Sequence, residues 1–175
     1  MPDIDVYTWE DVDQLCARLA GIVRDSGEVF DSVVCVLRGG AVPGVVLANA
    51  LAIDIVLGIK VVQAGQVTGA GQGNGAYEAE PATVVVPLNA VDLQDKRVLV
   101  VDDVLDSGAS ISVVVEEVFR AGAAAVRVAT LQVKTYSPMK PDFYVEERSN
   151  WLFYPWMSGE ELRQMESRLA VARQP

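Results

Sequence analysis

Residues 98–110, VLVVDDVLDSGAS, constrain this chain more than any other stretch. Four aliphatic residues run straight into two adjacent carboxylates, Asp102 and Asp103. Val104 and Leu105 lead to Asp106, and then only small residues follow: Ser107, Gly108, Ala109 and Ser110. A short, continuous apolar run of this kind is a strand buried on both faces, which requires helices above and below it. Paired acids followed by a clearance of bulky side chains mark the end of that strand as a place where something must approach the backbone.

The rest of the chain supplies the helices and further strands. Thr8 reads as an N-cap with Asp11 three residues on, opening a helix to about Arg24 whose apolar stripe is Val12, Leu15, Cys16, Leu19 and Val23. SVVCVL (32–37) is a second buried strand, ending on Arg38-Gly39-Gly40, and Pro43 suits the first turn of the helix that continues through GVVLANAL. Strands are expected at 55–63, in ATVVVPL (82–88), at 98–101, at 125–134 and in DFYVEE (142–147), with a helix over 110–121. Ser158 and Glu161 form a capping box before a last helix striped by Leu162, Met165 and Leu169. AGQVTGAGQGNGAYEAEP (64–81) reads as a Gly-rich mobile loop or hairpin tip. Strands alternating with helices predict one α/β domain over residues 1–175, with a central, mostly parallel twisted sheet flanked by helices. Ligands of such sheets bind at the carboxyl ends of strands, which singles out the loops Arg38-Gly39-Gly40 and 102–110.

Charge and composition exclude several classes. Net charge is −10, with pI ≈ 4.4, so no basic face for nucleic acid is expected. Histidine is absent and the cysteines are two, Cys16 and Cys35, which leaves neither a zinc ligand set nor a Ser-His-Asp triad. MPDIDVYTWED carries no signal-type apolar region, and no apolar stretch reaches the ~20 residues that span a bilayer. The expectation is a cytoplasmic protein with no membrane partner.

The loop itself suggests a ligand. Ser107 to Ser110 open a helix, and converging N–H groups, two hydroxyls and the helix N-terminus make a cradle of phosphate size. It is not a Walker A loop, which needs Gly-Lys-Ser/Thr, nor an EF-hand, since the Asp spacing fails. Two carboxylates beside a phosphate cradle make sense if they face hydroxyls, or a divalent cation, of the same ligand. A phosphorylated sugar with vicinal hydroxyls and a Mg²⁺-bound diphosphate meets both needs.

VLVVDDVLDSGAS resembles the phosphoribosyl-diphosphate motif of the type I phosphoribosyltransferases. LRGGAVPG (37–44) is similar to the diphosphate loop of their xanthine and xanthine-guanine members, VKTYSPMKPDFY (133–144) to a segment of the 6-oxopurine enzymes, and NWLFYPW (150–156) to their aromatic segment. The resemblance implies transfer of a 5-phosphoribosyl group from phosphoribosyl diphosphate to xanthine, guanine or hypoxanthine, in a homo-dimer or homo-tetramer. It implies Arg38 and Gly39 on the diphosphate, with a cis peptide between Leu37 and Arg38. Asp102 and Asp103 would hold the ribose hydroxyls, with Asp103 also on Mg²⁺, directly or through water. Ser107, Gly108, Ala109 and Ser110 would take the 5′-phosphate, Asp106 would act on purine N7, and Lys134 would contact O6. Trp151 would stack on the base and the backbone of Leu152 would read its edge, in a base-binding hood spanning about 135–160.

Two departures stand out. Residues 61–95 hold no Lys or Arg to close over a diphosphate, and Met157 follows Pro155-Trp156 where relatives often carry an acid. A nucleotide-sensing module of the same fold, without turnover, is therefore the alternative from another class, and a phosphoribosyltransferase for another base is a third reading.

Overall fold

The apolar runs of the sequence form the middle of a six-stranded sheet. The computed structural model describes residues 3–63, 82–88 and 93–172. In chain order the elements are β1 (Ile4–Val6), α1 (Trp9–Asp25), β2 (Ser32–Leu37), α2 (Ala41–Ala50), β3 (Ile55–Gln63) and β4 (Ala82–Val86). β5 (Arg97–Leu105), α3 (Ala109–Arg120), β6 (Ala125–Lys134), β7 (Phe143–Arg148), β8 (Trp151–Phe153) and α4 (Gly159–Ala172) complete it. The expected loop at 64–81 lies outside the described residues.

The large sheet has the order β4-β3-β2-β5-β6-β7 and is parallel except for β4, which runs antiparallel to β3. Side chains alternate across it with period two. Val33, Cys35, Leu99 and Val101 point to one face, where Leu15, Leu19 and Val23 of α1 and Leu47 of α2 cover them. Val34, Val36, Val98 and Val100 point to the other, under Ile111, Val114 and Val118 of α3. A strand sandwiched this way must be apolar at every position, which is why the runs SVVCVL and VLVV carry no alternation. The Thr8–Asp11 capping box that starts α1 is present in both directions, and so is the Ser158–Glu161 pair at α4.

Two features differ from the sequence reading. β5 does not stop at Val101 but continues through both acids to Leu105, because β6 goes on pairing with it: Asp102 faces Thr130, Val104 faces Gln132 and Leu105 faces Val133. A second sheet, β1 with β8, was not expected; it pairs Ile4, Asp5 and Val6 in parallel with Trp151, Leu152 and Phe153.

Candidate active site

The order of the strands fixes where a ligand can sit. From β2 the chain moves outward through α2 to β3; from β5 it moves the opposite way, through α3 to β6. The crevice outside the carboxyl ends of β2 and β5 lies at this reversal. Both loops singled out by the sequence leave the sheet there.

The two loops are pressed together. A Cβ on Gly39 would lie 2.1 Å from Oδ2 of Asp103, and one on Gly40 would lie 2.2 Å from the carbonyl oxygen of Val101. Only glycine allows that approach, so the Arg-Gly-Gly sequence is a packing requirement before it is anything else. The Leu37–Arg38 peptide is cis, as the resemblance implied. The guanidinium of Arg38 stands largely in solvent, 3.2 Å from Glu161 of α4.

The acids of β5 are fixed by backbone amides. The carboxylate of Asp102 accepts from the N–H of Asp103 at 2.9 Å, and that of Asp103 from the N–H of Val104 at 2.7 Å. Burial pushes Asp102 well above the usual carboxylate range, and the charge of Asp103 adds to the rise. Burial also raises Asp103, against hydrogen bonds from Val104 and the Trp156 side chain. Two carboxylates raised together form a site that gains by receiving hydroxyl donors or a cation.

Beyond them the backbone turns into the cradle. Gly108 has φ +82 and α3 starts on it with no side-chain cap, so its first N–H groups are turned toward the loop. Ser107 Oγ accepts from Ala109 N–H at 3.4 Å, and the Ser112 hydroxyl donates to the Gly108 carbonyl at 3.1 Å. Met139 closes over the glycine: a Cβ there would meet its sulfur at 2.0 Å. The helix begins at Ala109, so Ala109 and Ser110 form its first turn.

One strand further on stands Lys134, at the end of β6 and 2% exposed. Its Nζ donates to the Asn150 carbonyl. Burial lowers its pKa, while Asp106 and Asp5 hold the charge on. Asp106 is in turn raised by burial and lowered by a Tyr136 hydrogen bond and the Lys134 charge. A buried lysine and a carboxylate of raised pKa thus act on one another's charge beside the cradle.

The hood completes the far wall. Trp151 N–H donates to the Asp3 carbonyl at 2.8 Å and the Phe153 carbonyl accepts from Tyr7 N–H at 2.9 Å. Backbone groups alternate sides along a strand, so the N–H and C=O of Leu152 point away from β1, along the edge of β8 that neither described sheet uses. The side chain of Leu152 is itself buried in the main core. Trp151 departs from expectation. It is 4% exposed and packs on Met165 and Leu169 of α4, so no ring face is open for stacking while α4 lies there. Its strand neighbours alternate, which sends Trp151 toward α4 and Leu152 toward the core.

The sequence reading missed an aromatic column behind Asp103. Tyr7 stacks on Tyr154 at 5.5 Å, Tyr154 on Trp156 at 4.7 Å, and Trp9 tilts against Trp156 at 6.1 Å. The buried Tyr154 hydroxyl donates to Gln132. The aromatics of FYPW were visible in the sequence; that Tyr7 and Trp9 join them depends on β1 meeting β8. An open cleft of about 700 Å³ lies beside this hood, lined by Asp5, Tyr7, Thr135, Arg148 and Asn150 among others. Among the described residues no cluster of three His, Cys, Asp or Glu could hold a metal by itself, and no helix is long and apolar enough to cross a membrane.

A reversal-point crevice between an Arg-Gly-Gly loop and an Asp-Asp strand end with a small-residue cradle defines a type I phosphoribosyltransferase. The phosphoribosyl transferase domain model matches residues 5–156, and the chain belongs to that family. It is similar to the xanthine-guanine phosphoribosyltransferase of Cereibacter sphaeroides, 30% identical over 81% of this chain and 77% of that one. The enzyme of the same name from Gluconobacter oxydans is 26% identical over 85% of this chain and 82% of that one. Among solved structures, a purine phosphoribosyltransferase from Pyrococcus horikoshii superposes with TM-score 0.73 at 33% identity, covering 89% of this chain and 95% of that one. A protein of Neisseria gonorrhoeae with bound ppGpp superposes with TM-score 0.75 at 25% identity, covering 99% of each.

Proposed function

We propose that this chain transfers the 5-phosphoribosyl group of phosphoribosyl diphosphate to N9 of a 6-oxopurine (xanthine, guanine or hypoxanthine), releasing diphosphate in purine salvage. The observation that carries the reading is the contact of the two loops, Gly39 against Asp103, with Lys134 at the end of the neighbouring strand close enough for its charge to act on Asp106. In this reading the amides and hydroxyls of Ser107 to Ser110 hold the 5′-phosphate, and Asp102 and Asp103 receive the ribose hydroxyls. Arg38 and the backbone at Gly39 neutralise the departing diphosphate.

Asp106 accepts the proton of purine N7 so that N9 becomes the nucleophile; its raised pKa suits a proton acceptor. Lys134 donates to O6, and an adenine amino group at that position would set donor against donor. The free backbone edge of Leu152 reads the opposite side of the base, and Trp151 supplies the stacking face once uncovered.

Phosphoribosyltransferases generally use Mg²⁺, and the site is of a kind that fits it. Two half-buried carboxylates of raised pKa offer too few ligands for a cage but enough for an ion carried in by phosphates. Asp103, with Asp102, would hold it, and the ion would supply positive charge to the leaving diphosphate.

We read residues 1–175 as one domain, with the hood at about 135–160, in a cytoplasmic homo-dimer or homo-tetramer. Val45 and Val46 of α2 and Ile55 and Val56 of β3 are exposed aliphatic residues available to a second copy, and light scattering reports the mass. The ppGpp bound to the Neisseria protein supports the alternative, a nucleotide-sensing module in which a purine nucleotide fills the same crevice. A spectrophotometric screen of xanthine, guanine, hypoxanthine and adenine with phosphoribosyl diphosphate and Mg²⁺ decides between them. Product from 6-oxopurines but not adenine is the expected result; nucleotide binding with no product from any base favours the sensor.

A further inference from the structure

α4 begins at Gly159, beyond the family-matched segment that ends at residue 156, yet it touches both halves of the site. At its first turn the two oxygens of one carboxylate do different work. Oε2 of Glu161 accepts from the Ser158 N–H at 2.7 Å and hydroxyl at 2.9 Å, closing the helix cap. Oε1 accepts from Nη2 of Arg38 at 3.2 Å. Arg38 is the cation of the diphosphate loop, and residues 61–95 provide no other. One helical turn further on, Met165 and Leu169, four residues apart and so on one face, lie in one cluster with Trp151, which is 4% exposed, and Ile4, Phe153 and Met157 pack against the same cluster.

We propose that α4 is a gate over the crevice. Glu161 is an internal competitor that occupies Arg38 until a diphosphate displaces it, and the same helix covers the face that Trp151 would offer to a base. This rests on the roles given above to Arg38 and Trp151. The pair is suited to release, since Arg38 is 80% exposed and the bridge is a weak one. A ligand bringing several negative charges outcompetes one carboxylate for the same guanidinium. Losing that contact frees the first turn of α4, while its cap to Ser158 keeps the helix intact.

The test uses Glu161→Gln. Glutamine still serves a capping box but turns an amide, not a charge, toward Arg38. Calorimetry of wild type and variant with Mg²⁺ and phosphoribosyl diphosphate is expected to show roughly two- to fivefold tighter binding in the variant, the range an exposed ion pair accounts for. KM for phosphoribosyl diphosphate should fall by the same factor with kcat unchanged within twofold. In 5-fluorotryptophan protein, the Trp151 resonance should move when phosphoribosyl diphosphate is added to wild type, and start from the shifted position in Glu161→Gln. Equal affinities together with a Trp151 resonance that does not respond, in a protein that binds phosphoribosyl diphosphate, overturn the gate and leave the functional reading standing. A wild-type protein that does not bind phosphoribosyl diphosphate overturns both.

Discussion

At the ends of β2 and β5 a ligand meets backbone that has no room to shift: Gly39 lies against Asp103, Gly40 against the Val101 carbonyl, and Gly108 under Met139. Across the crevice, the hood centres on two strands of three residues each, joined to the rest by Leu152 and Tyr154 in the main core, ring stacking and a buried lysine on one carbonyl. The first half is held by strand pairing within the central sheet and by close approaches of its glycines to the Val101 carbonyl, the Asp103 carboxylate and the Met139 side chain, where an added atom must displace a neighbour. The second is held by side chains from distant parts of the chain, which can be exchanged or loosened singly. In the proposed reaction, binding of the sugar phosphate, common to every reaction of such a site, falls on the rigid half, and the choice of base on the other.

The sharpest division between the halves is at Asp106, which sits at their junction. Asp106→Asn should lower kcat by ~10²–10⁴ with little change in KM for phosphoribosyl diphosphate, measured by steady-state kinetics. In the wild type, kcat should fall as pH drops through the raised pKa of this group, beginning above the usual carboxylate range. Unchanged kcat in the variant would remove Asp106 from the chemistry.

Gly108→Val tests the rigid half directly. A β-branched residue at φ +82, with Met139 over it, is strained whichever way the methionine moves. Affinity for phosphoribosyl diphosphate should drop by about 100-fold by calorimetry in a protein that keeps its circular dichroism. Near-normal affinity would break the comparison at its stronger side.

Lys134→Met tests the adaptable half. The methionine fills the buried space without the charge that burial disfavours, so the melting temperature should not fall. kcat/KM for a 6-oxopurine should drop by about 10- to 100-fold, the loss of one charge-assisted hydrogen bond, while binding of phosphoribosyl diphosphate alone stays within a few-fold.

The smallest effect is on stability, at Asp102. Its carboxyl pKa is raised in the folded state, so the ionised group costs stability as pH rises through that value and costs none below the unfolded carboxylate range. Asp102→Asn should therefore raise Tm at pH 7.5 by about 2–4 °C, and the gain should vanish near pH 3.5. Thermal melts at both pH values check the sign.

The rigid half was legible in the sequence because it is local. β-branched runs predict buried strands, and the acids and small residues sit together in thirteen consecutive positions, 98–110. What sequence could not supply was the extension of β5 to Leu105, since two acids break the apolar pattern and only pairing with β6 keeps the strand going. The hood was legible only as composition. Strands of three residues carry no usable period, and whether Trp151 or Leu152 faces the core is decided by the pairing of Ile4 with Trp151. Neither Tyr7 on Tyr154 nor Arg38 on Glu161 leaves any trace in spacing.

The β1–β8 pairing also joins segments that lie far apart in the sequence. β1 precedes every strand of the main sheet along the chain, and its partner β8 follows all six. Asp3 and Tyr7 bond to β8 through their backbone, and among the described residues no strand pairing links them to the loops at β2 and β5. The cradle at β2 and β5 is thus built from strands that need neither partner of this pairing, whereas the backbone edge of β8 is held in place by a segment from the far side of the sequence.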